Sequence, residues 1–151
     1  MKQKILSFIV HDRKFLVLRN NPHPKHGGDF WFVVTGGVEK GENQVEAVKR
    51  EVFEETGLIV NEIFDLNWGS VYKWEKDLCE ELNFVSFVDS ENIILNEEHT
   101  EHEWLNLDSF IDRIKWEDDK ELLRKVLKKA LNKKQYFKKQ EIKDYGENEK
   151  N

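Results

Sequence analysis

The stretch GGVEKGENQVEAVKREVFEETGL, Gly36–Leu58, constrains the fold more than any other part of the chain. It follows directly on the aromatic and branched run Phe30–Val34, has Gly41 just ahead of Glu42, and places Gly57 immediately after a helical pattern. Glycine in that position is the common left-handed stop of a helix. The pattern therefore predicts a short strand ending where the glycines begin, a loop, and a helix from about Asn43 to Thr56. At about 100° per residue, Val45, Val48, Val52 and Thr56 fall within a stripe of about 80°, the face expected to pack on a sheet.

The acids of this helix are harder to place. Glu51, Glu54 and Glu55 occupy a neighbouring arc of about 100°, with Glu55 about 20° from Val48. Like charges at i, i+3 and i, i+4 cost roughly a few tenths of a kcal/mol per pair. The helix C-terminus disfavours anions by a further ~0.3–1 kcal/mol each. Arg50 offers partial relief, spaced i+4 from Glu46 and i, i+4 with Glu54. A hard divalent cation would offset the rest, because Mg²⁺ takes carboxylate oxygens, substrate phosphates and water as ligands. A merely solvated acidic face is the alternative. The glycines favour the cation: Gly36 and Gly37 let the backbone turn and come close to a phosphate-bearing ligand.

The remaining chain supplies a fold around this unit. Lys2–Val10 and Lys14–Arg19 read as a strand pair, Asn20–Asp29 as a loop carrying both prolines, and Ile59–Tyr72 and Glu81–Val88 as two further strands that pair. A second helix is expected after Leu107 with Asp108 or Ser109 as cap, and a third from about Asp118 to Tyr136. With 151 residues, no repeat and no linker, this is one α+β domain over residues 1–137 followed by a polar tail, 138–151. The lone Cys79 permits no internal disulfide and suits a reducing cytoplasm. No stretch reads as an export signal or a membrane span. A net charge of −6 argues against long nucleic acid as a partner but not against a small anionic substrate accompanied by a cation.

Gly36, Glu42, Arg50, Glu51, Val52, Glu54, Glu55, Gly57 and Leu58 also match, at every defined position, the Nudix box, so the chain resembles the Nudix hydrolases. That resemblance implies an αβα sandwich with a mixed sheet between helices. It also implies hydrolysis of a nucleoside diphosphate linked to another group, with Mg²⁺ or Mn²⁺ as cofactor. Carried over residue by residue, it makes Glu54 and Glu55 the principal metal ligands and Glu51 a ligand or the base acting on water. Arg50 would orient the glutamates, Glu42 would support the site, and the carbonyl of Thr35 would be a further ligand. The stretch NEEHTEHEWL, Asn96–Leu105, with Glu98, His99 and Trp104, resembles the source of an additional acid in MutT-like and dihydroneopterin-triphosphate-type members; Glu98 is the choice, with Glu97 and Glu101 as alternatives. His99 and His102 suggest a zinc pair only superficially, since no third ligand stands at suitable spacing.

Substrate choice lies outside the box. Trp31, Trp68, Tyr72 and Trp74 are candidates for stacking on a base, and Arg19, His23, Lys25 and His26 for meeting phosphate or base. FWFVVTGGVEKGE resembles the corresponding stretch of dihydroneopterin triphosphate and (d)NTP pyrophosphohydrolases, which points to a (d)NTP or analogue cut to monophosphate and pyrophosphate. Dinucleoside polyphosphates, ADP-ribose-type substrates and a non-catalytic nucleotide-sensing module are the alternatives. The resemblance also admits a homodimer.

Overall fold

The computed structural model describes residues 1–22 and 28–138. His23, Lys25, His26, the side chain of Trp74 and the tail from residue 139 lie outside the described residues.

Strands β1 (Lys2–His11) and β2 (Lys14–Asn20) form the expected hairpin, with Val10 opposite Phe15 and His11 opposite Lys14. Its two turn residues, Asp12 and Arg13, both have positive φ, the backbone that matches the right-handed twist of the flanking strands. Beyond the turn, β1 leaves β2 and pairs with β4 (Val34–Gly37), setting Leu6 opposite Thr35, Ile5 opposite Gly36 and Lys4 opposite Gly37. The strand expected over Phe30–Val34 is thus two pieces, β3 (Trp31–Phe32) and β4, and the second runs through the glycines instead of ending at them. Pairing with β1 holds that glycine segment in the sheet, where propensity alone would have broken it.

Strands β5 (Val60–Trp74) and β6 (Asp77–Val88) form a longer hairpin than their apolar runs suggest, with a register shift between Asp65 and Gly69. β1 lies parallel to β6, and β7 (His99–Leu105) pairs antiparallel with β2. The sheet is therefore mixed, with seven strands and the central order β3-β2-β1-β6-β5.

Each face of the sheet carries its own core. On β1, Ile5 and Ile9 pack with Val48, Val52 and Leu58 on the side of α1 (Gln44–Thr56). Leu6, Phe8 and Val10 pack with Phe110, Ile111, Leu123 and Val126 on the side of α2 (Leu107–Arg113) and α3 (Lys120–Ala130). Burial on both faces explains why Ile5–Val10 is a nearly continuous apolar run. Its one polar member, Ser7, is bonded within the interior to Ser86 at 2.7 Å. Helices on both sides of a mixed sheet make the expected αβα sandwich.

The helices begin and end for local reasons. Asn43 caps α1 by accepting from the Glu46 N–H, and Glu46 returns the bond to the Asn43 N–H, while Gly57 closes the helix at φ 75°. Asn106 caps α2, two positions before Asp108 and three before Ser109, because its side chain reaches the Ser109 N–H. Asp119 caps α3, which stops at Ala130 instead of reaching Tyr136: the chain turns through Leu131–Lys133, and Lys133 sits at φ 57°.

Candidate functional site

The buried stripe of α1 comprises Ala47, Val48, Val52, Glu55 and Thr56, whereas Val45 is 42% exposed. The helix is therefore rotated relative to the stripe expected from its valines. On a helical projection this puts Glu55 near the middle of the buried arc, flanked by Val48, and Glu51 between Ala47 and Glu55. At 3% exposure, Glu55 is the only buried charged side chain among the described residues.

The acids divide around Arg50. Its guanidinium donates to both oxygens of Glu42 at 2.7 and 2.9 Å, to Glu51 and to Glu54 at 2.9 Å each, and to the carbonyl of Gly37 at 2.8 Å. The partner expected four residues earlier, Glu46, is occupied instead by the capping box. Bidentate pairing with Arg50, aided by the Glu39 N–H, holds the Glu42 carboxyl down to about 2. Glu51 responds the opposite way: burial pushes its carboxyl up to about 7 against the pull of Arg50, with Glu54 and Glu98 adding to the rise.

Glu55 lies beyond the reach of Arg50. Burial first, then the charges of Glu98, Glu51 and Glu54, push its carboxyl up to about 9. One oxygen lies 3.8 Å from His99 Nε2, the other has no hydrogen-bond partner, and neither does His99 Nδ1. Burial lowers the pKa of His99 against the opposing pull of Glu98. Glu98 itself is fixed by a turn in which its N–H donates to the Asn96 side chain and its carboxylate accepts from the Asn96 amide. Glu55, Glu98, Glu97, His99 and Thr35 line one cavity of about 500 Å³.

Gly36 has a different task from the one its flexibility suggested. A Cβ there would stand 1.5 Å from Glu51 Oε2. The glycine makes room for the Glu51 carboxylate on the backbone of β4. Gly41, at φ 82°, supplies the left-handed turn before Glu42.

The other residues singled out in the sequence fall into separate surroundings. Arg19 is paired with Asp29 and Glu101, so Glu101 points to that ion pair. Trp31 carries the Arg113 guanidinium 4.9 Å from its ring centre. Tyr72 lies near the tip of the β5–β6 hairpin, opposite Cys79, with the Lys4 ammonium 5.9 Å from its ring centre. Trp68 packs against Trp116 and Phe137. His99 and His102 are three residues apart on β7, so they project to opposite faces and cannot share a metal. The resemblance singled out His99 beside Glu98, but the sequence did not disclose its place against Glu55. Its signal was the alternation along β7, which the polar composition of HTEHEWL conceals.

A divalent cation suits this donor set. Among the described residues no three His, Cys, Asp or Glu side chains already converge as a cage. Even so, the arrangement supplies hard oxygen donors, one of them an orphaned oxygen in the interior, and a cluster of like charges that repel without a cation. Among the described residues no helix is long and apolar enough to cross a membrane.

A family model described as the NUDIX domain matches residues 1–126. In sequence, the chain is 33% identical over 119 residues to an octanoyltransferase of Myxococcus xanthus; the match covers 76% of this chain and 32% of that protein, about a third of its length. It is 27% identical over 137 residues to the dihydroneopterin triphosphate diphosphatase of Haemophilus influenzae, covering 82% of this chain and 84% of that one. Among solved structures, the dihydroneopterin triphosphate pyrophosphohydrolase of E. coli superposes with a TM-score of 0.64 at 22% identity, covering 82% of this chain and 92% of the other. At that identity the likeness speaks for the fold.

Proposed function

The chain belongs to the Nudix hydrolase family, and from that premise we propose that it hydrolyses a nucleoside triphosphate or close analogue to monophosphate and pyrophosphate, with Mg²⁺ or Mn²⁺. One observation carries the reading: Glu55 is buried with an unpartnered oxygen, lines one cavity with Glu98, and stands beside Glu51 and Glu54 on the helix. So many carboxylates with one guanidinium among them suit a site that receives a cation and a polyanion together. The dihydroneopterin triphosphate diphosphatase relative supports the choice of a triphosphate.

Glu54, Glu55, Glu51 and Glu98 would hold the ion, with the Thr35 carbonyl as a further donor. When bound, a divalent cation neutralises phosphate charge and lowers the pKa of a water it contacts. Glu51 would accept a proton from the attacking water, since a nearby cation would keep its carboxylate in the ionised form that a general base requires. The water oxygen forms a bond to phosphorus as the anhydride P–O bond breaks, and the pyrophosphate oxygen leaves with the electron pair. Arg50 keeps Glu51 and Glu54 oriented, and Gly36 lets Glu51 lie against the strand. The substrate is a small nucleotide, and the lone buried Cys79 suits the cytoplasm.

The test is a panel of (d)NTPs, dinucleoside polyphosphates, ADP-ribose and nucleotide sugars, with Mg²⁺ or Mn²⁺ and chromatographic separation of products. A triphosphate yielding equimolar monophosphate and pyrophosphate is the expected result. Release of diphosphate and orthophosphate, or no turnover with either ion, contradicts the proposal.

A further inference from the structure

Glu98 stands in the loop between β6 and β7, whereas Glu51, Glu54 and Glu55 stand on a helix. A carboxylate on a loop gives up main-chain and rotamer freedom when it binds an ion, unless loop and side chain are already fixed. Both are fixed here, by asparagines. Asn96 bonds Glu98 twice: its side-chain oxygen accepts from the Glu98 N–H at 3.0 Å, and its amide donates to Glu98 Oε2 at 3.1 Å. Asn21, one residue past β2, holds the main chain. Its N–H donates to the Glu98 carbonyl at 2.8 Å, and its side-chain amide donates to the Glu97 carbonyl at 3.0 Å.

Asn21 is itself part of a tied segment. Its neighbour Asn20 accepts from the Phe30 N–H at 2.7 Å and donates to the Gly28 carbonyl, and Arg19 pairs with Asp29 and Glu101. The end of β2 thus ties the loop before β3 and the loop before β7 to one place, and Asn20, Asn21 and Glu98 line the same cavity as Glu55. The candidate acids are held unequally. Glu101 is committed to Arg19, and the Glu97 side chain has no hydrogen bond or ion pair among the described residues. Only the Glu98 carboxylate has a neutral partner. Arg50 orients its acids and also neutralises them; the Asn96 amide bonds one oxygen of Glu98 and leaves the other, with the full charge, for a cation.

We propose that Asn96 is a positioning residue that presents the Glu98 carboxylate to the cavity shared with Glu55, that Asn21 fixes the loop beneath it, and that this bracket makes Glu98, and not Glu97, the acid supplied from outside α1. The inference rests on the proposed function, in which Glu98 holds the ion, and adds to it the residues that select that acid. Neither asparagine touches the ion or the substrate; each acts through Glu98. A ligand oriented beforehand loses less freedom on binding, so removing the bracket weakens the ion's hold without removing a ligand.

The test is Mn²⁺ binding to the full chain without substrate, followed by the electron paramagnetic resonance of free Mn²⁺, so that no turnover is required. Glu98→Gln and Asn96→Ala should each weaken binding by about tenfold, the lower end of the cost of disturbing a metal ligand's partner. Glu97→Gln should change it by about twofold or less, as a screened surface charge does. Asn21→Ala, which keeps the N–H bond to Glu98, should weaken it by about two- to threefold. In a Glu98→Gln background, Asn96→Ala should cost about twofold or less, because it acts through that carboxylate alone. Asn96→Ser separates orientation from turn formation: its hydroxyl still accepts from the Glu98 N–H, but the amide that donates to the carboxylate is gone. This variant should melt in EDTA as the parent does and bind Mn²⁺ as weakly as Asn96→Ala. Parental affinity in Asn96→Ala, full recovery in Asn96→Ser, additive losses in the double variant, equal losses from Glu97→Gln and Glu98→Gln, or no Mn²⁺ binding by the parent overturns the inference. A coupled Asn96–Glu98 pair in a protein that hydrolyses no triphosphate overturns the proposed function and leaves the bracket standing; triphosphate hydrolysis with unchanged Mn²⁺ affinity in Asn96→Ala does the reverse.

Discussion

Glu42 and Glu55 are the same side chain at opposite ends of one acidic cluster, and they answer it in opposite directions. Glu42 lies in the fork of Arg50 and is held down to about 2; Glu55 has lost its water, lies out of Arg50's reach and is pushed up to about 9. The guanidinium thus neutralises one flank of the cluster and leaves the other for a different cation. The comparison separates the acids that build the site from those that await a ligand. It predicts that substitutions on the two flanks will fail differently.

The largest effect belongs to the two proposed metal ligands, Glu54 at the edge of Arg50's fork and Glu55 beyond it. Glu54→Gln and Glu55→Gln should each lower Mg²⁺-dependent turnover by at least about a hundredfold, as expected for metal ligands whose supporting partners alone are worth 10–100-fold. Glu55→Gln should also melt higher than the parent in EDTA near neutral pH, because a neutral amide is buried without the proton that the carboxylate must take up on folding. A lower melting temperature in EDTA would show that the Glu55 carboxylate has a partner on this side.

Gly36→Ala should come next. Its methyl would occupy the space of the Glu51 carboxylate, so turnover should fall by roughly ten- to a hundredfold. Stability should fall by about 1–3 kcal/mol from overpacking. In a Glu51→Ala background the stability loss should nearly vanish, a coupling that a double-mutant cycle reads directly.

On the neutralised flank, Arg50→Lys replaces a fork that serves three carboxylates and a carbonyl with a point charge. Turnover should fall by about tenfold, and an equal effect on Mg²⁺ affinity and on melting in EDTA would separate this orienting role from ligation. The smallest change is remote from both flanks. Asn43→Ala removes the α1 cap and should destabilise by ~1 kcal/mol while leaving the melting shift on Mg²⁺ addition unaltered.

The sequence made the central helix legible because its determinants are local: Gly57 stops it, Val48 and Val52 face the sheet, and the acids follow the same period. What escaped depends on contacts across the chain. Arg50 takes Glu42 from the preceding loop instead of Glu46 from its own helix, because Glu46 is committed to the cap. Val45 turned out to be exposed because Ala47 and Glu55 take the buried arc, and a buried acid is invisible to a hydrophobic pattern. β7 escaped because HTEHEWL has almost no apolar alternation; pairing with β2 makes it a strand and carries His99 to Glu55. The bracket on Glu98 needs Asn21 and Asn96 from two separate segments, and no spacing within either of them reports it.

The pH dependence of the two flanks leads to the decisive experiment. Glu55 is about 9 in the fold against 4.5 as an ordinary carboxyl, and Glu51 about 7. A raised folded value means that the fold favours the protonated acid, so the metal-free protein should lose stability as pH rises from 5 through 9. Binding a cation must displace those protons. Calorimetric Mn²⁺ titrations in buffers of different ionisation enthalpy count them. At pH 8 the account predicts release of about one proton per ion, from Glu55, and at pH 6 about two, with weaker binding; Glu55→Gln should release nearly none at pH 8. Binding without proton release, or unchanged in Glu55→Gln, would contradict the claim that the buried carboxyl of α1 receives the cation.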